Sequence, residues 1–246
     1  MAGRSLTTPP IQNYSRDGTH QLIPSLYSVQ QTVLANVVEG GEDAIQEMIL
    51  LEGVTNDRIV GESGGLSGIT PYELVYGIPN AHIVNGAFTH ASEFGSRFND
   101  ATRGAWYAAE ELDTSLAEVV YHKAKRLGDI VVPELPHNKP DHEVSTYDDW
   151  LANFEAAFHV LEPPEQYADY LQPEPVPFCY GSSQALARAL LQQKSCGLVY
   201  PSVRRRGYVC LVCFRPPLVH NPTRGERLEL TLTANDLGYT AAVRMR

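Results

Sequence analysis

Hydrophobic positions in this chain fall in short groups, and the groups follow two different periods. Leu116, Val119, Val120 and Leu127 recur at helical spacing. Asp113, Thr114 and Ser115 precede or open that face as good N-cap residues, with Ser115 and Glu118 at capping-box spacing. Trp150, Leu151, Phe154, Phe158 and Leu161 predict a second amphipathic helix over 148–161, broken by the proline-rich stretch 163–177. Ser182 or Ser183 caps a third helix, stopped near Gly197. A fourth is predicted over 43–52, with acids in its first turn and Gly53 as its stop. Period two marks Arg227 to Thr233, where leucines alternate with polar residues in a half-buried strand pattern. Apolar runs predict strands over 197–203 and 208–214, and shorter ones over 20–28, 81–89, 104–109 and 129–135. Gly61 to Gly68 reads as a glycine-rich loop, and residues 1–18 as polar and loose. Dispersed short strands of this kind fit an α+β domain better than a regular βαβ array.

Length and charge narrow the picture. The 246 residues allow one large domain or two small ones, and a chain of this size can bury roughly 70% of its unfolded surface without disulfide or metal staples. A net charge of −10 argues against direct nucleic-acid binding, which draws on Lys and Arg. No apolar run approaches the roughly 18 residues of a membrane span. Met1–Ser5 leads into polar sequence without the apolar core of a signal peptide, so a soluble, cytoplasmic protein is expected. Charge is segregated. Residues 134–174 hold ten acids and one base, and residues 203–246 hold eight arginines and three acids. The segment 134–177 reads as an acidic, proline-rich insertion, a candidate surface for a partner or a homodimer.

Two motifs invite chemistry that their context denies. Cys210 and Cys213 have C-x-x-C spacing, but on a strand residues three apart face opposite ways, so no shared metal is expected. Gly61-Glu-Ser-Gly-Gly65 matches the serine-hydrolase elbow, which needs a helix directly after the serine; Gly64, Gly65, Gly68 and Pro71 follow Ser63 instead. The eight histidines are scattered, and no metal site is expected.

A different constellation keeps its order. It runs Arg97-Phe-Asn99, Trp106-Tyr107-Ala108, Leu116-Ala-Glu118-Val119 with His122 one turn on, then Tyr200-Pro-Ser202-Val203. Asn85-Gly-Ala-Phe-Thr-His90 lies upstream and Phe214-Arg-Pro-Pro217 downstream. In these pieces, across roughly residues 20–220, the chain resembles the RES-domain family, named for an Arg, a Glu and a Ser. The resemblance implies a single ADP-ribosyltransferase-like domain over 19–246, with a mixed, mostly antiparallel sheet flanked by helices. It implies a toxin that breaks the nicotinamide–ribose bond of NAD⁺ and passes ADP-ribose to phosphate, water or a protein. NAD⁺ is then substrate, with no separate cofactor, and the implied partner is a helix-turn-helix antitoxin.

The residue types suit that chemistry. A guanidinium at Arg97 matches phosphate oxygens bidentately. Tyr107 offers a ring to stack on nicotinamide. Glu118 offers negative charge to a developing ribosyl cation; it lies about 200° around the helix from Leu116, off the apolar face. Ser202 offers a small hydrogen-bonding group, and Asn99 joins the NAD⁺-binding set through its motif. One departure stands out. Family members often carry an Arg in the first strand, where this chain has Thr19-His-Gln-Leu22. His20 or Gln21 would contact phosphate only weakly, and Arg103 or Arg204–Arg206 are the expected substitutes.

Overall fold

The computed structural model describes residues 7–28, 56–66, 68–135 and 138–246. The helix expected over 43–52 lies outside the described residues. Strand β1 spans Ile11–Pro24, so residues 11–18, expected to be loose, are its first half. Helices α1 (Asp57–Glu62) and α2 (Ala81–Thr89) follow. Strand β2 (Trp106–Ala109) leads into the long helix α3 (Leu112–Gly128). Strand β3 (His142–Val160) is the longest strand. Helix α4 (Gly181–Gln192) and strands β4 (Gly197–Pro201), β5 (Val209–Cys213), β6 (His220–Asn235) and β7 (Gly238–Met245) complete the chain.

The strands form one sheet in the order β1-β2-β5-β4-β3-β6-β7, and β1 also pairs with β3. The first five strands therefore close on themselves, while β6 and β7 extend the far side of β3. Among the described residues only β3–β4 is parallel; the other pairs are antiparallel. The result is an α+β fold on a mixed, mostly antiparallel sheet.

Three expectations fail for identifiable reasons. The stretch 148–161 is strand, not helix. Phe154 and Phe158 are four apart, a spacing that serves both periods. Trp150, Ala152, Phe154, Phe158 and Val160 are all buried in one cluster, which is period two. The supposed acidic insertion thus contains the central strand of the sheet. Residues 81–89 are helix despite Ile83 and Val84: those two and Phe88 form its buried face. Asn85 on the same helix accepts from Val75 N and donates to Val75 O and Glu62 Oε1. Residues 129–135 are turns, not strand.

β5 shows why the core is layered. Leu211 and Cys213 pack with Trp106 and with Phe88 of α2. Cys210 and Val212 pack on the other side with Leu186 and Leu190 of α4. The two cysteines accordingly face opposite cores, and burial pushes each thiol up to about 12. A third cluster joins Leu22, Tyr147, Leu228, Leu230 and Leu232 to the apolar face of α3. Among the described residues no helix is long and apolar enough to cross a membrane, and no three His, Cys, Asp or Glu gather as a metal set.

Candidate active site

A cleft of about 640 Å³ opens between α3, β1, β2 and the loop before β2. Its lining includes Arg97, Tyr107, Glu118 and His122, with Gln21 from β1. A second cavity of about 660 Å³ adjoins it and shares Gln21, Ser96 and Tyr107 with it.

Glu118 and Ser202 stand 84 residues apart in sequence, yet Ser202 Oγ donates to Glu118 Oε1 at 3.1 Å. The Cys210 thiol also lies within reach of this hydroxyl. The serine oxygen accepts from Arg204 N at 3.2 Å and Arg205 N at 3.0 Å, which fills both acceptor sites and winds the turn after β4. The Ser115–Glu118 capping box is not formed: α3 starts at Leu112 with Glu111 as its N-cap, and the glutamate turns to the serine instead. Arg204 Nε lies 4.0 Å from Glu118 Oε2. Burial nevertheless prevails, and the Glu118 carboxyl is held above its ordinary range despite the serine bond and the charges of Arg204 and Arg97.

Arg97 is 7% exposed and already engaged. Its Nη1 donates to Tyr170 O at 3.2 Å and Gln172 O at 2.8 Å, and its guanidinium lies 5.1 Å from the Tyr180 ring centroid. Arg204 Nη2 donates to Pro173 O at 2.8 Å. Two site arginines therefore strap residues 170–173 against the cleft, which gives part of the proline-rich segment a structural task.

Tyr107 presents its ring to the cleft and has no free hydroxyl. Its Oη donates to Asn99 Oδ1 at 2.7 Å and accepts from Phe98 N at 2.9 Å, and burial holds its pKa high. Asn99 also donates to Asp100 O and Arg103 O. It lines the second cavity while pinning the 95–103 loop. Gly95 of that loop has φ +67°, and a Cβ there would meet Asn99 O at 2.2 Å, so the tight turn requires glycine.

The expected substitutes for a first-strand arginine do not reach the cleft. Arg103 Nη1 pairs with Glu73 and its Nη2 with Phe214 O, both at 3.0 Å. Arg205 is held by Glu111 at 2.7 Å and Asp113 at 3.5 Å. Arg204 sits over the Tyr121 ring at 3.3 Å, behind Glu118. His20 faces Asp149 at 2.8 Å. Gln21 does line the cleft, and its Oε1 is buried without a hydrogen-bond partner. The basic side chains that sequence reasoning passed over are Lys125 and Arg126 of α3, which line the cleft seven and eight residues beyond Glu118. That spacing was readable, because i+7 and i+8 share a helical face with i. His122 completes the stripe. The ring is desolvated by the cleft walls and lies near the charges of Arg204 and Arg97, which push its pKa down to about 4, so it is neutral at pH 7.

Ser63 is no elbow. It caps the C-terminus of α1, and its Oγ donates to Val60 O at 2.9 Å.

This is an α+β protein that gathers an arginine, a glutamate and a serine around one cleft. The RES domain model matches residues 74–233, from before Arg97 to beyond Ser202, and the chain belongs to the RES domain family. Among solved structures, a chain of the M. tuberculosis MbcT–MbcA toxin–antitoxin complex is similar at 17% identity and a TM-score of 0.39, covering 56% of this chain and 73% of that one. No curated protein matches.

Proposed function

We propose that this protein cleaves the nicotinamide–ribosyl bond of NAD⁺ and transfers ADP-ribose to phosphate or water. The observation that carries this reading is Glu118 on the wall of a cleft also lined by Arg97 and Tyr107, with Ser202 bonded to it from behind at 3.1 Å. Membership of the RES domain family supports it.

The chemistry follows from the groups. The bond between C1′ and the pyridinium nitrogen breaks with its electron pair going to nitrogen, so nicotinamide leaves neutral and C1′ becomes cationic. Glu118, ionised and held by Ser202, stabilises that cation electrostatically. Phosphate or water then adds to C1′, giving ADP-ribose 1″-phosphate, or ADP-ribose and a proton. The Tyr107 ring, which lines the cleft, stacks on nicotinamide, and the Arg97 guanidinium attracts the anionic part of the dinucleotide. In the cell the protein acts as a cytoplasmic toxin that depletes NAD⁺, restrained by a cognate helix-turn-helix antitoxin seated over the cleft.

The test is direct. Purified protein is incubated with NAD⁺, and free nicotinamide is followed with and without inorganic phosphate. Multiple turnovers support the reading, and dependence on phosphate selects phosphorolysis over hydrolysis. NAD⁺ left intact, or nicotinamide released only in step with labelling of a protein, overturns it.

A further inference from the structure

The polar residues Glu118, His122, Lys125 and Arg126 of α3 line the cleft in order, with Ser115 before them, Val119 among them and the C-cap residue Asp129 after them. The stripe runs along the helix from a carboxylate through a neutral imidazole to two cations, with the exposed Asp129 carboxylate beyond. We propose that Lys125 and Arg126, with the Gln21 amide of β1 at the same cleft, form its phosphate-oxyanion subsite. The inference rests on the dinucleotide reading above and deepens it.

Three observations carry it. First, Arg97 is partly committed, with its Nη1 holding two main-chain carbonyls, and so needs further cations beside it for a doubly charged diphosphate, while Arg103, Arg204 and Arg205 are engaged elsewhere. Second, Arg126 is exposed and makes no hydrogen bond or ion pair among the described residues. The negative helix C-terminus accounts for cations in the last turn. It does not account for an unpaired guanidinium turned to a cavity in a chain of net charge −10. Lys125 meets only Asp129, 3.6 Å away and 68% exposed, a pair loose enough for a phosphate to displace. Third, Gln21 Oε1 is out of solvent and unpartnered at the same cleft. An amide can present either its oxygen or its N–H₂, and the second is a phosphate donor. Two turns, about 12 Å, separate Glu118 from Arg126, and the long side chain shortens that gap toward the ribose–diphosphate spacing of a nucleotide.

The occupant is a phosphate oxyanion, either the diphosphate of the dinucleotide or the free phosphate acceptor. The test uses Lys125→Ala/Arg126→Ala, checked for an unchanged melting temperature, and the charge-retaining Lys125→Arg/Arg126→Lys. ADP-ribose and inorganic pyrophosphate are titrated calorimetrically, and the phosphate dependence of nicotinamide release is measured. Two charge-assisted hydrogen bonds predict a loss of about 100-fold in ADP-ribose and pyrophosphate affinity, largely restored in the charge-retaining variant. A rise only in the phosphate concentration needed assigns the pair to the acceptor instead. Unchanged affinities and unchanged phosphate dependence overturn the subsite while leaving the dinucleotide reading intact. If the wild-type protein neither binds ADP-ribose nor cleaves NAD⁺, that reading falls; the pyrophosphate titration then still decides the subsite.

Discussion

Two carboxylates in this molecule are taken out of water, and their surroundings send them opposite ways. Asp148 of β3 has no exposed side-chain surface. Burial works to raise its pKa, but hydrogen bonds from Arg227, Ser28 and Arg224 outweigh that, and the carboxyl is held below its ordinary range. Glu118 is 28% exposed at the side chain, yet it has one hydroxyl donor and a guanidinium 4.0 Å off, and its carboxyl is held above its ordinary range. The balance of donors against desolvation decides the sign. A carboxylate saturated with donors clamps β3 to β6. A carboxylate short of donors keeps unspent attraction for a cation arriving in the cleft.

The comparison can be broken most severely at Glu118. Glu118→Gln should lower nicotinamide release by at least about 100-fold. The same variant should melt no lower than the wild type at pH 8, and higher if anything. The reason is the sign of linkage: a raised folded pKa means the native state holds the extra proton, so stability falls as pH rises from the ordinary glutamate value through the raised one. Calorimetry at pH 5 and pH 8 with an activity assay on the same samples checks both halves.

Asp148→Asn should do the reverse. Removing the charge leaves Arg224 and Arg227 facing a neutral amide in a buried position, which costs roughly 3 kcal/mol of stability. Activity per folded molecule should change little. The wild-type stability that Asp148 contributes is present above the ordinary aspartate pKa and lost as pH falls through its lowered value, so denaturant melts of Asp148→Asn and wild type should draw together as pH falls below the ordinary aspartate pKa.

Ser202→Ala sharpens the contrast by removing the sole hydroxyl donor to Glu118. The acid limb of the pH–rate profile should move to higher pH, with activity at pH 7 reduced about tenfold. An unmoved acid limb would detach Glu118 from that limb. The smallest effect is expected at Arg224→Ala: the arginine is 40% exposed and Asp148 keeps Arg227 and Ser28, so about 1 kcal/mol or less should be lost in a denaturant melt.

The legibility of this molecule in its sequence follows the same division. Arg97, Tyr107, Glu118 and Ser202 were readable because their motifs are local and ordered, and the cleft does bring Arg97, Tyr107 and Glu118 together with Ser202 bonded behind. What each side chain does there was not readable. The Tyr107 hydroxyl and the Asn99 amide are taken up by the 95–103 loop, a tertiary fact with no sequence signature. Lys125 and Arg126 were readable on helical spacing alone, once Glu118 was known to face a cleft. The β3 error came from an ambiguous spacing of aromatics, and only burial of Ala152 and Trp150 beside Phe154 resolves it. β7 was missed because it is an edge strand with few buried positions to pattern it.

The closed run of strands has a consequence for synthesis. Thr19 Oγ1 donates to Ala152 O across 133 residues of chain, and β2 cannot take its place between β1 and β5 until residues 209–213 exist. Loops of that length make such pairing slow and late. Ser202, in the turn between β4 and β5, reaches Glu118 only when that pairing forms. A nascent chain still on the ribosome therefore carries every residue of the site up to Glu118 without carrying the site. The site assembles only once β4 and β5 have joined the sheet.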